Sequence, residues 1–558
     1  MNKKTKESVK VTYPDGKCRE FPYGKRVIDV LQEPEFEPVR DRTVGGLVNN
    51  EIVSLTFKIE VNSLFKPVTL ESGEGARIYR RSLCFLLNAA SAELFPGRRL
   101  IIGHSLGDGY FFYFDDLPET PEEDVSLLES RMREYVEADL PVTRRVLSYG
   151  DAISYLKETG NRSAEQLLGH LNNSKIPIYE SAGFRDIAHG PLVPHTGMLE
   201  YFTLTAYPPG FLLRFPAVKT PDIVGPLVEH PVVFSIFQEY KRWGKVLGVS
   251  NAGQLNDRIR KGNIREFIQV AEALHDRKIA EIATAIHEKR NVVHLVLIAG
   301  PSSSGKTTFT KKLLVQLRVL GYNPISVSVD DYFLPRERTP KDENGDYDFE
   351  SIEALDVELF NEQLCALLDG DEVEVPEFDF KLGRAKSSGR KLKLESRSIM
   401  VVEGIHCLNP RLTFRIQREN KFSIYVSALT QLNIDDHNRI PTTDVRLLRR
   451  MVRDHQFRGV TAMDTLKRWP SVRAGEMKNI FPYEVNAQIA FNSSLDYELA
   501  ILKGYAEPLL STIKPFDHVY SEAVRLRRFL ENFIMVPSQN TPYYSILREF
   551  IGESGFTY

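Results

Sequence analysis

The chain has 558 residues, 42% hydrophobic and 26% charged. At about 150 residues per domain this implies roughly three to four folded units and excludes disorder over most of the length. Lys+Arg 72 against Asp+Glu 75 leaves a formal net charge of −3, so there is no global basic field for nucleic acid or anionic membrane. Four scattered cysteines (Cys18, Cys84, Cys365, Cys407) form no C-x-x-C pair, which argues against a disulfide framework or a thiolate zinc site. No apolar run approaches the ~18 residues of a spanning helix, and MNKKTKESVK leads into no signal-peptide core; the expectation is a cytoplasmic protein.

Residues 1–70 read as a small β-rich unit. VKVTYPDGKCREF is a hairpin turned at Asp-Gly, a short helical stretch covers Val27–Gln32, and LVNNEIVSLTF is strand-like around a polar Asn49-Asn50 turn. In residues 71–230, Leu83, Leu86, Leu87, Ala90 and Leu94 mark one buried helix face, and GHSLGDGYFFYFDD opens an aromatic strand. Residues 231–290 are helical and polar, a connector packed on one or both neighbours. From Asn291 the texture changes: VVHLVLIAG is continuously apolar, as in a parallel strand covered on both faces, and strand and helix patterns alternate to about residue 500, predicting an α/β unit over 291–500. A helical tail, 501–558, closes the chain.

Gly300-Pro301-Ser302-Ser303-Ser304-Gly305-Lys306-Thr307 matches G-x-x-x-x-G-K-[ST], with the apolar strand before it and the amphipathic TFTKKLLVQLRVL, opening at Thr308, after it. The pattern predicts a loop whose amides cradle phosphates, with Lys306 on the β- and γ-phosphates and the Thr307 hydroxyl on Mg²⁺. ISVSVDDYF is the next strand, ending in Asp330 and Asp331, where a carboxylate can take a proton from an attacking hydroxyl. SRSIMVVEGIHCL ends in Glu403, placed to complete a Mg²⁺ shell. VRLLRRMVRDHQFRG sets Arg446, Arg450 and Arg453 on one helical face beside Arg449 and Arg458, a row able to neutralise a transferring phosphoryl group.

GPSSSGKTTF, SVDDYF, DYDFESIEALD, LFNEQLCALLDGDEVEVPEFDF, VVEGIH and LRRMVRDHQFRG together resemble the uridine kinase branch of the phosphoribulokinase/uridine kinase family over about 200 residues. The resemblance implies an α/β P-loop NTPase kinase domain with a parallel sheet, ATP or GTP as phosphate donor, and a nucleoside 5′-hydroxyl as acceptor. By it Asp330 is the general base, and Asp348 holds the ribose hydroxyls. Thr307, Glu403 and Asp330 share Mg²⁺, and Arg450, Arg453 and Arg458 are the lid arginines. Three positions depart from the family: Phe378 stands where Tyr is usual in the substrate pocket, Gly383 where some members have His, and Val460 at the second basic position of the lid. A kinase of another small hydroxyl compound, such as a sugar or sugar alcohol, and a nucleotide-switched RNA-binding regulator are the alternatives.

VTYPDGKCREFPYGKRVIDVLQ resembles a TGS domain, the ubiquitin-like β-grasp module of threonyl-tRNA synthetases. RRSLCFLLNAASAELFPG, IIGHSLGDGYFFYFDD and RDIAHGPLVPHTGMLEYFTL resemble the α+β editing domain of the same enzymes. The four positions that the resemblance assigns to editing chemistry hold Arg81, Phe85, Ala188 and Leu192, so hydrolysis is expected to be lost while the fold is kept. His189 and His195 remain nearby.

Overall fold

The apolar run ahead of the phosphate loop forms strand β1 (Leu295–Ala299), buried at every residue. The computed structural model describes residues 8–341, 345, 347–379 and 382–557; Asp346 and Phe380, within two of the motifs above, lie outside them. After β1 come α1 (Lys306–Val319), β2 (Asn323–Ser328), α2 (Val357–Leu368), β3 (Val373–Asp379), β4 (Arg384–Leu392), β5 (Ser398–Glu403), β6 (Lys421–Ser427), α3 (Thr442–Arg458), α4 (Ala462–Asn479) and β7 (Ile489–Asn492). Five of the strands form one sheet in the order β2-β5-β1-β6-β7, parallel at every pairing. Its two faces bury different cores. Val296 and Ile298 face Phe309 and Leu313 of α1 and Leu448 and Val452 of α3, while Leu295 and Leu297 face Phe360 and Leu364 of α2. Cover on both faces is why the run shows no alternation of polar and apolar residues.

Two local features differ from the sequence reading. ISVSVDDYF is not one strand ending at Asp331: the strand stops at Ser328, and Val329–Tyr332 is a 3-10 turn whose second amide, Asp330 N–H, donates to Ser328 Oγ at 3.3 Å. The side-chain acceptor competes with the sheet for that amide. The strand–helix alternation is also interrupted, because β3 and β4 pair antiparallel as a separate hairpin. β4, RAKSSGRKL, is exposed along most of its length, so it has no face to bury against the main sheet.

The segment 231–290 contains helices Pro231–Leu247, Ala252–Arg260 and Ile264–Glu288. Ile279, Ile282 and Ile286 of the last share the core of Phe309 and Leu313. The first places Ile236, Phe237 and Tyr240 against Phe111 and Leu212 on one side and Leu429, just beyond β6, on the other. It therefore touches both halves of the chain. After β7 the chain continues in α5 (Glu498–Leu510), α6 (Tyr520–Leu530) and α7 (Arg548–Ile551).

Ahead of residue 231 the described residues form three larger sheets and one two-stranded pair, Lys25–Arg26 with Lys58–Ile59. Ser8–Thr12 pairs antiparallel with Cys18–Pro22 and parallel with Ser63–Thr69, which is followed by Thr43–Val48 and Glu51–Val53. Asn49 and Asn50, both at positive φ, make the last turn. A four-stranded antiparallel sheet (residues 100–106, 109–114, 203–207 and 210–214) is packed by the Gly73–Leu94 and Glu122–Glu137 helices. Thr143–Ser148, Lys175–Ser181 and Phe184–Asp186 form a third sheet. Among the described residues no helix is long and apolar enough to cross a membrane.

Candidate active site

The phosphate loop turns between β1 and α1 under tight steric control. A methyl group on Gly300 would lie 2.0 Å from the Val426 carbonyl oxygen, so only glycine lets the loop leave β1 beside β6. Gly305 (φ 82°) and Ser303 (φ 58°) adopt the left-handed conformation, which rotates successive amides toward one concave side. Lys306 folds back on the loop, its Nζ donating to Pro301 O at 3.2 Å. Ser303, Ser304 and Thr308 are buried.

The three strand-end groups converge because their strands are neighbours. In the sheet register Glu403 pairs with Ile298 on one side and Ser328 on the other, so it lies between the loop and Asp330. Thr307 Oγ1 donates to Glu403 Oε1 at 3.4 Å and Thr310 Oγ1 to Oε2 at 3.4 Å. Burial pushes the Glu403 carboxyl up to about 7; Glu549 and Asp330 add to this, and Lys306 opposes it. Asp330 is exposed to solvent, yet the protein around it thins its hydration and raises its pKa, with Lys306 and Arg458 opposing. Glu403, Thr307 and Asp330 present only hard oxygen donors, and a carboxylate held up by burial is one that a divalent cation would relieve, so these residues fit Mg²⁺. Among the described residues no three His, Cys, Asp or Glu side chains converge into a metal cage.

Helix α3 supplies arginines in two roles. Arg450 Nη1 donates to Ser302 Oγ at 2.8 Å, and Arg450, Arg453 and Arg458 all meet Asp454, at 3.3, 2.9 and 3.3 Å. Arg446, grouped with the phosphoryl-facing row in the sequence, is instead 1% exposed and structural, and Arg449 is 0% exposed. Arg446 Nε donates to Ser302 O at 3.0 Å and pairs with Glu476; Arg449 pairs with Glu498 at 2.6 Å and donates to Ser493 O at 2.8 Å. The three share one face, but Arg446 lies a turn nearer the start of α3 than Arg450, where Glu476 of α4 meets it.

The expected acceptor residues come from other segments. Asp348 Oδ1 accepts from Glu350 N–H at 3.2 Å. Phe378 is buried in the core under β2 and β5, 5.6 Å from Phe333 ring to ring. Gly383 sits under Arg336.

Several groups here carry no motif. Glu350 is half-buried near Glu476, Arg450 and Lys306, with Oε2 inaccessible, and its carboxyl is pushed up to about 7 by lost hydration and then by Glu476. Glu476 accepts from Ser302 N–H at 3.2 Å, and Glu549 accepts from Thr308. Asp454 had a legible signal, four residues from both Arg450 and Arg458 on one helix face.

In the N-terminal half, Phe85 and Leu192 lie in one apolar cluster with Val142 and Tyr179, and Ala188 packs against it. Arg81 donates to Pro191 O at 3.2 Å. His189 lies 3.5 Å from Asp435, and His195 Nδ1 is 2.5 Å from Asp139.

Residues 295–499 match the Phosphoribulokinase / Uridine kinase family. The N-terminal half is similar to Threonine--tRNA ligases. That of Saccharophagus degradans is 33% identical over 196 residues, 35% of this chain and 30% of the relative; that of Polynucleobacter necessarius is 35% identical over the same length and shares. The chain thus spans about a third of the length of the curated relatives it matches. Among solved structures, a putative fructose transport system kinase from Silicibacter is 20% identical with a TM-score of 0.29, covering 38% of this chain and 98% of that one. A possible uridine kinase from Bacillus stearothermophilus is 17% identical with a TM-score of 0.24, covering 36% and 89%. The chain therefore joins a Phosphoribulokinase / Uridine kinase family domain to an N-terminal half similar to Threonine--tRNA ligases.

Proposed function

We propose that this chain is a Mg²⁺-dependent kinase that transfers the γ-phosphoryl group of ATP or GTP to a nucleoside 5′-hydroxyl. The observation that carries the reading is the meeting of the phosphate loop, Glu403 and Asp330 at the ends of three adjacent parallel strands. In-line transfer makes a bond from the acceptor oxygen to the γ-phosphorus and breaks the bond to the β–γ bridging oxygen, which leaves with the donor diphosphate. Asp330 takes the acceptor proton, a task helped by the upward displacement of its pKa. Lys306 swings from Pro301 O to the phosphates, and Arg450, Arg453 and Arg458 neutralise charge that develops on the moving group. Bound Mg²⁺ supplies charge neutralisation and alignment of the phosphates, held through Thr307, Glu403 and Asp330.

Lys306→Ala is expected to lose both nucleotide binding and turnover. A coupled assay across nucleosides with the purified chain, Mg²⁺ and ATP or GTP tests the activity; no phosphorylation of any nucleoside would end this reading. A second reading, transfer to a sugar or sugar alcohol, is favoured by Phe378, which is buried against Phe333. A melting-temperature panel with saturating nucleosides and sugars separates the two, since only the true acceptor stabilises the folded chain.

A further inference from the structure

The first turn of α1 has amides with no carbonyl to bond inside the helix. Phe309 N–H, 3.0 Å from Gly305 O, is the first that finds one. In a phosphate loop the preceding amides are the cradle for the donor's phosphates. One of them is already engaged. Glu549 of α7 accepts through Oε2 from Thr308 N–H at 3.0 Å and from the Thr308 hydroxyl at 2.8 Å. Ile546, from the same segment, lies directly on the loop: a methyl group on Gly305 would be 2.5 Å from Ile546 Cγ2.

This segment is built in, not draped. Ile546 and Phe550 are fully buried. The guanidinium of Arg548 donates to the carbonyls of Ser538 and Thr541 at 2.9 and 2.7 Å, which holds the turn that presents Glu549. A carboxylate on a helix-start amide is an anion in an anion's place. Glu549 also adds negative charge to a site that already contains Glu403 and Asp330.

We propose that the C-terminal segment 541–551 is an internal competitor of the donor nucleotide, with Glu549 holding the anion position at the head of α1 until a donor displaces it. This rests on the kinase reading above. The donor's α-phosphate and nucleoside enter only when Ile546 and Glu549 withdraw, so the occupancy of this segment sets the apparent donor affinity.

Calorimetric titration of the full chain with Mg²⁺–ATP and Mg²⁺–GTP tests it. Glu549→Gln is expected to bind the donor about tenfold tighter or more, equal to about 1.4 kcal/mol, with the gain lost on adding Lys306→Ala. In the unaltered chain, donor is expected to raise hydrogen exchange across 541–557 while protecting 300–308. Should Glu549→Gln fail to fold, this exchange measurement decides alone. Unchanged or weaker binding by a folded Glu549→Gln, or a tail whose exchange does not rise when donor binds through Lys306, overturns the proposal and leaves the kinase reading standing. Absence of Lys306-dependent nucleotide binding in both proteins overturns the two together.

Discussion

Asp496 follows β7 and lines a small cavity with Tyr240, Trp243 and His275, where burial pushes its carboxyl up to about 7. A carboxyl whose folded pKa exceeds its unfolded value of 3.8 favours the folded state fully below that value. The contribution is lost as the pH rises toward 7. Asp496→Asn is therefore expected to raise the melting temperature at pH 8 by about 2–4 °C relative to the unaltered chain and to change it little at pH 4, read by thermal unfolding at the two pH values. Asp330→Asn belongs to the same scale: turnover should fall by about 10²–10⁴-fold while nucleotide binding persists, and a near-normal kcat would remove Asp330 from the general-base role. Gly300, Gly305, Lys306, Asp330 and Glu403 were legible in the sequence because each sits in a short pattern or at the end of an apolar run. Glu350, Glu476 and Glu549 were not, since none of them stands in a short pattern or at the end of an apolar run. Glu476 and Glu549 are brought to the loop by segments more than a hundred residues away in the chain.

At the scale of elements, α3 works through charge pairs that seal it to its surroundings. Arg446 and Glu476 are essentially inaccessible, and Arg473 reaches Glu476 at 2.8 Å from the preceding turn of α4. Removing one member strands its partner without counter-charge, so Glu476→Ala should cost about 3–5 kcal/mol in denaturant unfolding. It should also loosen Ser302, whose amide it accepts from. The elements themselves were largely readable: α1, α3 and the strands β1 and β5 follow from their periodicity or its absence. The β3–β4 hairpin was not, because a polar, two-sided strand carries no hydrophobic period to detect. The 3-10 turn at Asp330 escaped for another reason, a single serine hydroxyl deciding where β2 stops.

On the scale of the whole molecule, the polar helices between the two halves are structural members of both. The Ile264–Glu288 helix fills the core beneath α1, so a chain shortened to begin at residue 291 should aggregate or stay unfolded, whereas one beginning at 248 keeps that core; circular dichroism and size-exclusion chromatography would separate them. The sequence marked this stretch as helical but not as core, since its apolar stripe could have met either neighbour. Further ties cross the halves at the other end: Arg77 bonds Glu522 of α6 at 3.0 Å, and Arg525 joins Glu522 to Asp444 in the first turn of α3. Tyr240 closes the remaining gap. Its hydroxyl donates to Asn492 O at 3.1 Å, and the adjacent Ser493 hydroxyl bonds the Ser304 carbonyl in the phosphate loop. A helix wedged between two sheets in this way leaves no hinge at the junction. Heating should then release the N-terminal half and the kinase-family domain in one calorimetric transition, and a ligand that tightens either half should raise the melting temperature of both.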